Sequence, residues 1–351
     1  MTDNLRAALA CRIPLKLRPD GTFRIICSSD YHAPLGSRWS PRLRAGIRTL
    51  VDVTEPDLFF IAGDFASHGF VGVNGTDEEM HEYLEDIMAP VEEKNIPWAH
   101  VPGNHDGRIE KGLKLSIFQS FPHCISERGL DELDGYGTYM LPVWPADGDT
   151  SHGPAFVIWC FDSHAGAHAY SADLGRTPNC VLPNMPVRFN GSDGAHFNQC
   201  AWYWDLSCEM EQIYGRKIPG IMFMHTPLQE HLYVTTNPSE CEMQGSSEEE
   251  SAPGAVNTGL FAAVYERGDV RVVCAGHDHI NCYFGKYMGI VLAEDGSLGY
   301  DVYGEDYLRG GHLFTFDAAA ARPNEFSFEH VTVQDHQDCE KVPHPGIKII
   351  E

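Results

Sequence analysis

Five apolar runs in this chain each break off into a short polar block. TFRIICS leads to Asp30-Tyr31-His32, DLFFIA to Gly63-Asp64, WAHV to Gly103-Asn104-His105-Asp106, GIMFM to His225-Thr226, and VRVVCA to Gly276-His277-Asp278-His279. Continuous apolar runs of this length, with no alternation, read as strands buried on both faces. Helical stretches separate the first three. Ser40-Pro41 supplies a cap residue and a first-position proline for a helix through about Val53, and acids at 77–79 open a second helix reaching about Lys94. Strand, helix, strand, helix, strand implies parallel neighbours joined by crossovers. Open α/β sheets place their sites at the carboxyl ends of such strands, where all five polar blocks stand.

Further along, residues 155–161 (AFVIWCF) predict another buried strand, ending at Asp162-Ser163-His164. The segment 166–194 is rich in Gly, Pro and Asn and shows no period, which suits a lid or specificity loop. A helix is expected from His196 to Tyr214, a second polar loop over 238–254, and a short helix from Asn257 to Tyr265. Stretches near Ile290, at His312–Phe316 and at Phe326–Val333 read as antiparallel strands closing a second sheet. With neither an internal repeat nor a linker, a single domain over 1–351 is expected.

The formal charge of −25 over 351 residues argues against a surface that grips nucleic acid or an anionic membrane. Eleven cysteines are an odd count without a C-x-x-C pair, and Cys27, Cys160 and Cys274 lie in apolar runs, as buried reduced thiols do. Residues 1–9 lack the apolar core of a secretion signal, and no stretch approaches the roughly 20 apolar residues of a membrane span. A cytoplasmic location is therefore expected.

The polar blocks are made of carboxylates, imidazoles and one amide. Hard oxygens and imidazole nitrogens suit Mn²⁺, Fe²⁺/Fe³⁺ and Zn²⁺. Two such ions roughly 3.5–4 Å apart can share a carboxylate and stabilise both oxygens of an in-line phosphoryl displacement. Asp64, fixed by Gly63 at a tight strand exit, is the natural bridge, although alone it reads equally well as a cap or turn residue. Asp30 and His32, like His277 and His279, alternate across one residue, so both members of a pair could face one ion from a strand end. Each pair taken singly also fits a turn or a surface pair. By itself His225 reads as a satisfied core histidine and Asn104 as a turn former. Their order, each at a strand's carboxyl end, is what points to a metal centre. His105, with the ligand positions already filled by its neighbours, suits a proton donor or charge stabiliser, and Asp106 could orient that ring or cap a following turn.

As an ordered set, D-x-H, G-D, G-N-H-D, a lone His and G-H-x-H resemble the calcineurin-like metallophosphoesterase superfamily, over Asp30 to His279. The resemblance implies a metallophosphatase-type α/β fold (α+β), an αββα sandwich of two mixed sheets flanked by helices. It also implies that Asp30, His32, Asp64 and His279 hold one ion, that Asp64, Asn104, His225 and His277 hold the second, and that His105 is the acid. A narrower likeness covers 255–304 and includes Phe161-Asp162-Ser163-His164. It is to the fungal and plant purple-acid-phosphatase-like (Dcr-two-like) branch. Ser67 stands where purple enzymes carry a tyrosine and His32 where they carry a glycine, which implies a colourless site. Cys282 stands where the narrower branch usually has aspartate.

The expected function is hydrolysis of a phosphomonoester, on a small phosphorylated substrate or a phosphoprotein, by attack of a metal-bridging hydroxide with His105 protonating the leaving oxygen. The alternatives are a phosphodiesterase for cyclic nucleotides or other small phosphodiesters and, more remotely, a non-catalytic scaffold of the same fold. His164, His168, His196 and His231 are further candidates for the substrate pocket.

Overall fold

The computed structural model describes residues 1–33, 40–65, 76–106, 113–164, 192–320, 325–339 and 341–342. In chain order the elements are α1 (Asp3–Ala8), β1 (Leu15–Lys16), β2 (Thr22–Ser28), α2 (Ser40–Thr54), β3 (Leu58–Ala62), α3 (Asp77–Glu92), β4 (Trp98–Val101) and α4 (Leu113–Phe118). There follow β5 (Tyr139–Trp144), β6 (Phe156–Cys160), α5 (Phe197–Tyr214), β7 (Gly220–Phe223), α6 (Gln229–Thr236), β8 (Gln244–Ser247), α7 (Leu260–Arg267) and β9 (Val270–Ala275). The last strands are β10 (Asn281–Tyr287), β11 (Ile290–Asp295), β12 (Gly310–Asp317) and β13 (Phe326–Thr332).

Two mixed sheets result. One has the order β13-β12-β2-β3-β4, the other β1-β5-β6-β7-β9-β11-β10-β8. The strands β2, β3 and β4 run parallel, as do β6, β7, β9 and β11. Alternate residues of these strands enter different apolar layers. Ile25, Phe60, Ile158 and Phe223 pack between the sheets. Ile26, Phe59 and Ile61 face α2 and α3 on one outer side, while Val157, Trp159 and Met222 face α5 and α7 on the other. Because both faces of each central strand are covered, the runs are apolar throughout rather than alternating. The αββα sandwich is the expected architecture.

One expectation about the second sheet needs correction. The strands β12 and β13 extend the first sheet, β12 lying antiparallel beside β2, and β11 is parallel to β9. The loop expected over 238–254 contains β8, a polar edge strand on β10. At an edge no apolar pattern is needed, so none betrayed it. Local signals work where expected at α3, where the Thr76 hydroxyl accepts from Glu79 N–H (3.1 Å) and the Glu79 carboxylate accepts from Thr76 N–H (2.7 Å).

Candidate metal centre

The five polar blocks meet where the carboxyl ends of β2, β3 and β4 in one sheet approach those of β7 and β9 in the other. Asp30 and His32 do not project from a strand end as expected. The strand β2 stops at Ser28, and both residues take left-handed backbone (φ 56° and 48°), as do Asp64 (51°) and His277 (80°). Each such residue costs about 1–2 kcal/mol, and the surroundings enforce it: Asp30 N–H donates to Gly63 O and His32 N–H to Asp64 O, both at 3.1 Å. Strain of this kind gathers where side chains must be aimed. Glycine is required at two places. Gly63 has φ 91°, and a Cβ there would strike the His225 ring; a Cβ on Gly103 would strike Asp64 Oδ1 and its backbone nitrogen.

The result is a buried cage. His32 Nε2 lies 3.5 Å from Asp30 Oδ1 and 3.3 Å from Asp64 Oδ2. His279 Nε2 is 3.3 Å from Asp30 Oδ1, and His225 Nε2 is 3.2 Å from Asp64 Oδ2. Asn104 Oδ1 completes the other side, 2.9 Å from His225 Nε2 and 3.0 Å from His277 Nδ1. Asp30 is fully buried and Asp64 nearly so.

A test of whether these residues fit metal ions lies in their protons. His225 Nδ1 is 2.8 Å from the carbonyl oxygen of Ala62, and His279 Nδ1 is 3.1 Å from that of Tyr303. A carbonyl only accepts, so both Nδ1 atoms carry hydrogen, and a neutral ring then turns a bare Nε2 toward a carboxylate. Asp30 Oδ1, Asp64 Oδ2 and His32 Nε2 are buried without a hydrogen-bond partner. Lone pairs facing lone pairs need a cation between them. Without one, burial opposes charge on His225, yet Asp64 and Asp30 push its ring up to about 10. Burial likewise opposes charge on Asp30 and Asp64, but the neighbouring imidazoles hold both carboxyls below the usual range. Protons there would stand in for metal. The set Asp30–His32–His279 can hold one ion, and Asp30–Asp64–His225 and His32–Asp64–His105 also bring ligand atoms within 4.8 Å of one another.

His105 is half-buried, its ring edge-on to His32 at 4.9 Å, while its N–H donates to Asp64 Oδ1 (2.7 Å). Asp106 is buried, and its Oδ2 accepts from the N–H groups of Gly103 (2.7 Å) and Asp64 (2.9 Å), tying the loops after β3 and β4 together. Over the cage lies a cleft of about 330 Å³ lined by His32, Asp64, His105 and His279, with Glu249 and Tyr303 at its side. The Tyr303 ring stacks on His279 at 4.2 Å and its hydroxyl donates to Glu249 (2.9 Å).

Several supporting residues escaped the sequence reading. Ser29 hydroxyl bonds to Asp30 and Asp295, and burial pushes the Asp295 carboxyl up to about 7. Glu294, fully buried, accepts from Ser251 (2.5 Å), Asn281 (2.9 Å) and Tyr283 (2.9 Å) behind the His277–His279 turn. An adjacent acid pair ending the apolar run IVLAED was the available signal. Among the described residues lining that cleft, none of the further pocket candidates appears. His164 and His196 stack on each other at 3.7 Å, with His196 held between Asp134 and Asp193. His231 is buried in α6, its Nδ1 beside Leu228. His168 and Ser67 fall outside the described residues, as does 166–191 of the expected 166–194 loop. The ten described cysteines are free thiols, and no described helix is long and apolar enough to cross a membrane.

Comparison with known proteins agrees with this fold. The chain is 26% identical over 322 residues to "Probable inactive purple acid phosphatase 14" of Arabidopsis thaliana, covering 84% of this chain and 75% of that one. It is 25% identical over 289 residues to "Phosphatase DCR2" of Saccharomyces cerevisiae, covering 75% of this chain but 45% of the yeast protein. A dimetal phosphatase from Danio rerio shares the fold at a TM-score of 0.55 and 14% identity, over 89% of this chain and 96% of that one. Residues 23–281, most of the chain and all five polar blocks, match the family described as calcineurin-like phosphoesterase, and the protein belongs to that family.

Proposed function

We propose that this metallophosphoesterase is an active, dinuclear phosphomonoesterase. The single observation that carries the reading is the pair of partnerless carboxylate oxygens, Asp30 Oδ1 and Asp64 Oδ2, facing imidazole nitrogens in a buried cage. Asp30, His32, Asp64 and His279 would hold one ion; Asp64, Asn104, His225 and His277 the other. Bound there, two divalent ions would supply a hydroxide at neutral pH and neutralise charge on the phosphoryl oxygens. His105, at the cleft wall, donates a proton to the departing alkoxide. Asp106 acts as a positioning residue, since its carboxylate sets the loop that carries Asn104 and His105.

The cleft is small and Glu249 and Glu250 line it, which supports a compact phosphate ester over a polyanion. Relatives named "probable inactive" raise the scaffold reading, but all seven ligand positions here carry metal-binding side chains gathered in one cage. A phosphodiesterase would use the same donors. The deciding experiment strips the purified chain with a chelator, reloads it with Mn²⁺, Fe²⁺ or Zn²⁺, and compares p-nitrophenyl phosphate with its bis ester. Activity lost on stripping, restored on reloading and higher on the monoester is expected. Higher turnover of the diester would replace the monoesterase reading, and two bound ions without turnover of either would favour the scaffold.

A further inference from the structure

A second constellation of metal-binding side chains lies between the sheets and shares no residue with the cage. Cys282 on β10 is buried and stands two residues before Phe284, on the same face of the strand, and Phe284 packs in the inter-sheet layer. His312 on β12 and His330 on β13, cross-strand partners in the five-stranded sheet, come from the opposite side. Ligand atoms of the three lie within 4.8 Å of one another.

The protons of the two rings are again fixed by carbonyls. His312 Nε2 lies 2.9 Å from Glu294 O, and His330 Nε2 lies 2.9 Å from Leu308 O. Both Nε2 atoms therefore carry hydrogen, and both neutral rings present a bare Nδ1. Those two Nδ1 atoms stand 3.0 Å apart. Two bare lone pairs that close repel unless they share a cation. A proton could serve, at the cost of an imidazolium in an apolar layer where Phe284 stacks on His312 at 4.0 Å.

A metal ion answers the same geometry without that cost. Zinc–nitrogen bonds of about 2.0–2.1 Å at a tetrahedral angle put two ligand nitrogens about 3.4 Å apart, a few tenths of an ångström from the observed spacing. One thiolate with two imidazoles is a donor set for zinc-like ions rather than the harder ones that carboxylates favour. We propose that Cys282, His312 and His330 form a third cation site, selective for zinc, that clips the two sheets together. Binding forms two nitrogen–metal bonds and one sulfur–metal bond, and the thiol proton leaves to solvent. His330 is half-buried on the sheet's edge strand, which provides the entrance.

The site can be read separately from the cage, and from the function proposed for it, because none of the cage ligands is a thiol. The full chain is loaded with Co²⁺, whose thiolate-to-metal charge-transfer absorption in the near ultraviolet reports a cysteine ligand, and zinc is counted per chain by mass spectrometry in parallel. The wild type should show the band and a third ion. Cys282→Ser should lose the band and one ion while keeping the other two, and His330→Gln should weaken the third ion at least about tenfold. Asp64→Ala should retain the band. The His330 variant, altered at a sheet edge, keeps the test open if Cys282→Ser does not fold. A wild type without the band, with the same metal count as the His330 variant, would mean a shared proton only. A band that survives Cys282→Ser would assign the thiolate to another cysteine. Either result overturns the proposal.

Discussion

Asp64 uses every polar atom it has. Its N–H donates to Asp106, Oδ1 accepts from His105 N–H, and Oδ2 faces His32 and His225. Asp64→Ala should therefore empty both cage positions together, read as metal ions per chain; a variant that keeps both would refute bridging. His105→Ala should keep its metal while turnover falls roughly 10²–10⁴-fold, and parallel loss of metal would make His105 a ligand. Gly103→Ala tests the backbone. The added methyl meets Asp64 Oδ1 and N, so metal affinity should fall by at least about tenfold while circular dichroism is preserved. Asp106→Ala leaves two buried N–H groups without their acceptor, at about 1–3 kcal/mol each, measurable as a lower denaturant midpoint.

Strands announced themselves where their sequence carried no interior proline or glycine, not in proportion to their burial. The strands β2, β4 and β9 are mostly apolar runs, and their observed bounds are the expected ones. By contrast β5 carries Pro142 and β10 carries Gly285, residues that speak against a strand, and neither was expected. In β10 the glycine is required, because a Cβ there would enter Val234. The residues that meet in the cage were legible as an ordered set of side chains; the left-handed turns that aim them were not, since no local pattern distinguishes Asp30 in a turn from Asp30 on a strand. Within β4, His100 shows how an imidazole serves packing. Its ring stacks on Phe118 at 4.0 Å, and burial lowers it to about 3. A folded-state value below the unfolded one, about 6.5, means that its stabilising contribution is present above pH ~6.5 and is lost as pH falls toward the folded value. The slope of denaturant midpoint against pH between about 6 and 4 should be shallower in His100→Asn than in wild type; an unchanged slope would remove His100 from the acid response.

Across the whole molecule, the cage joins the two halves of the sandwich. Asp30, His32, Asp64 and Asn104 follow strands of the five-stranded sheet, whereas His225, His277 and His279 follow strands of the eight-stranded one. Each ion bound by the folded chain should stabilise it by about 4 kcal/mol at 1,000 times its dissociation constant, so chelation should lower Tm, and an unchanged Tm would mean that the folded chain does not bind the ions preferentially. The most direct test is anomalous diffraction from crystals of the chain loaded with Mn²⁺. Two peaks roughly 3.5–4 Å apart, both within bonding distance of the Asp64 carboxylate, are the predicted result. A single peak, or peaks away from Asp64, would contradict the account.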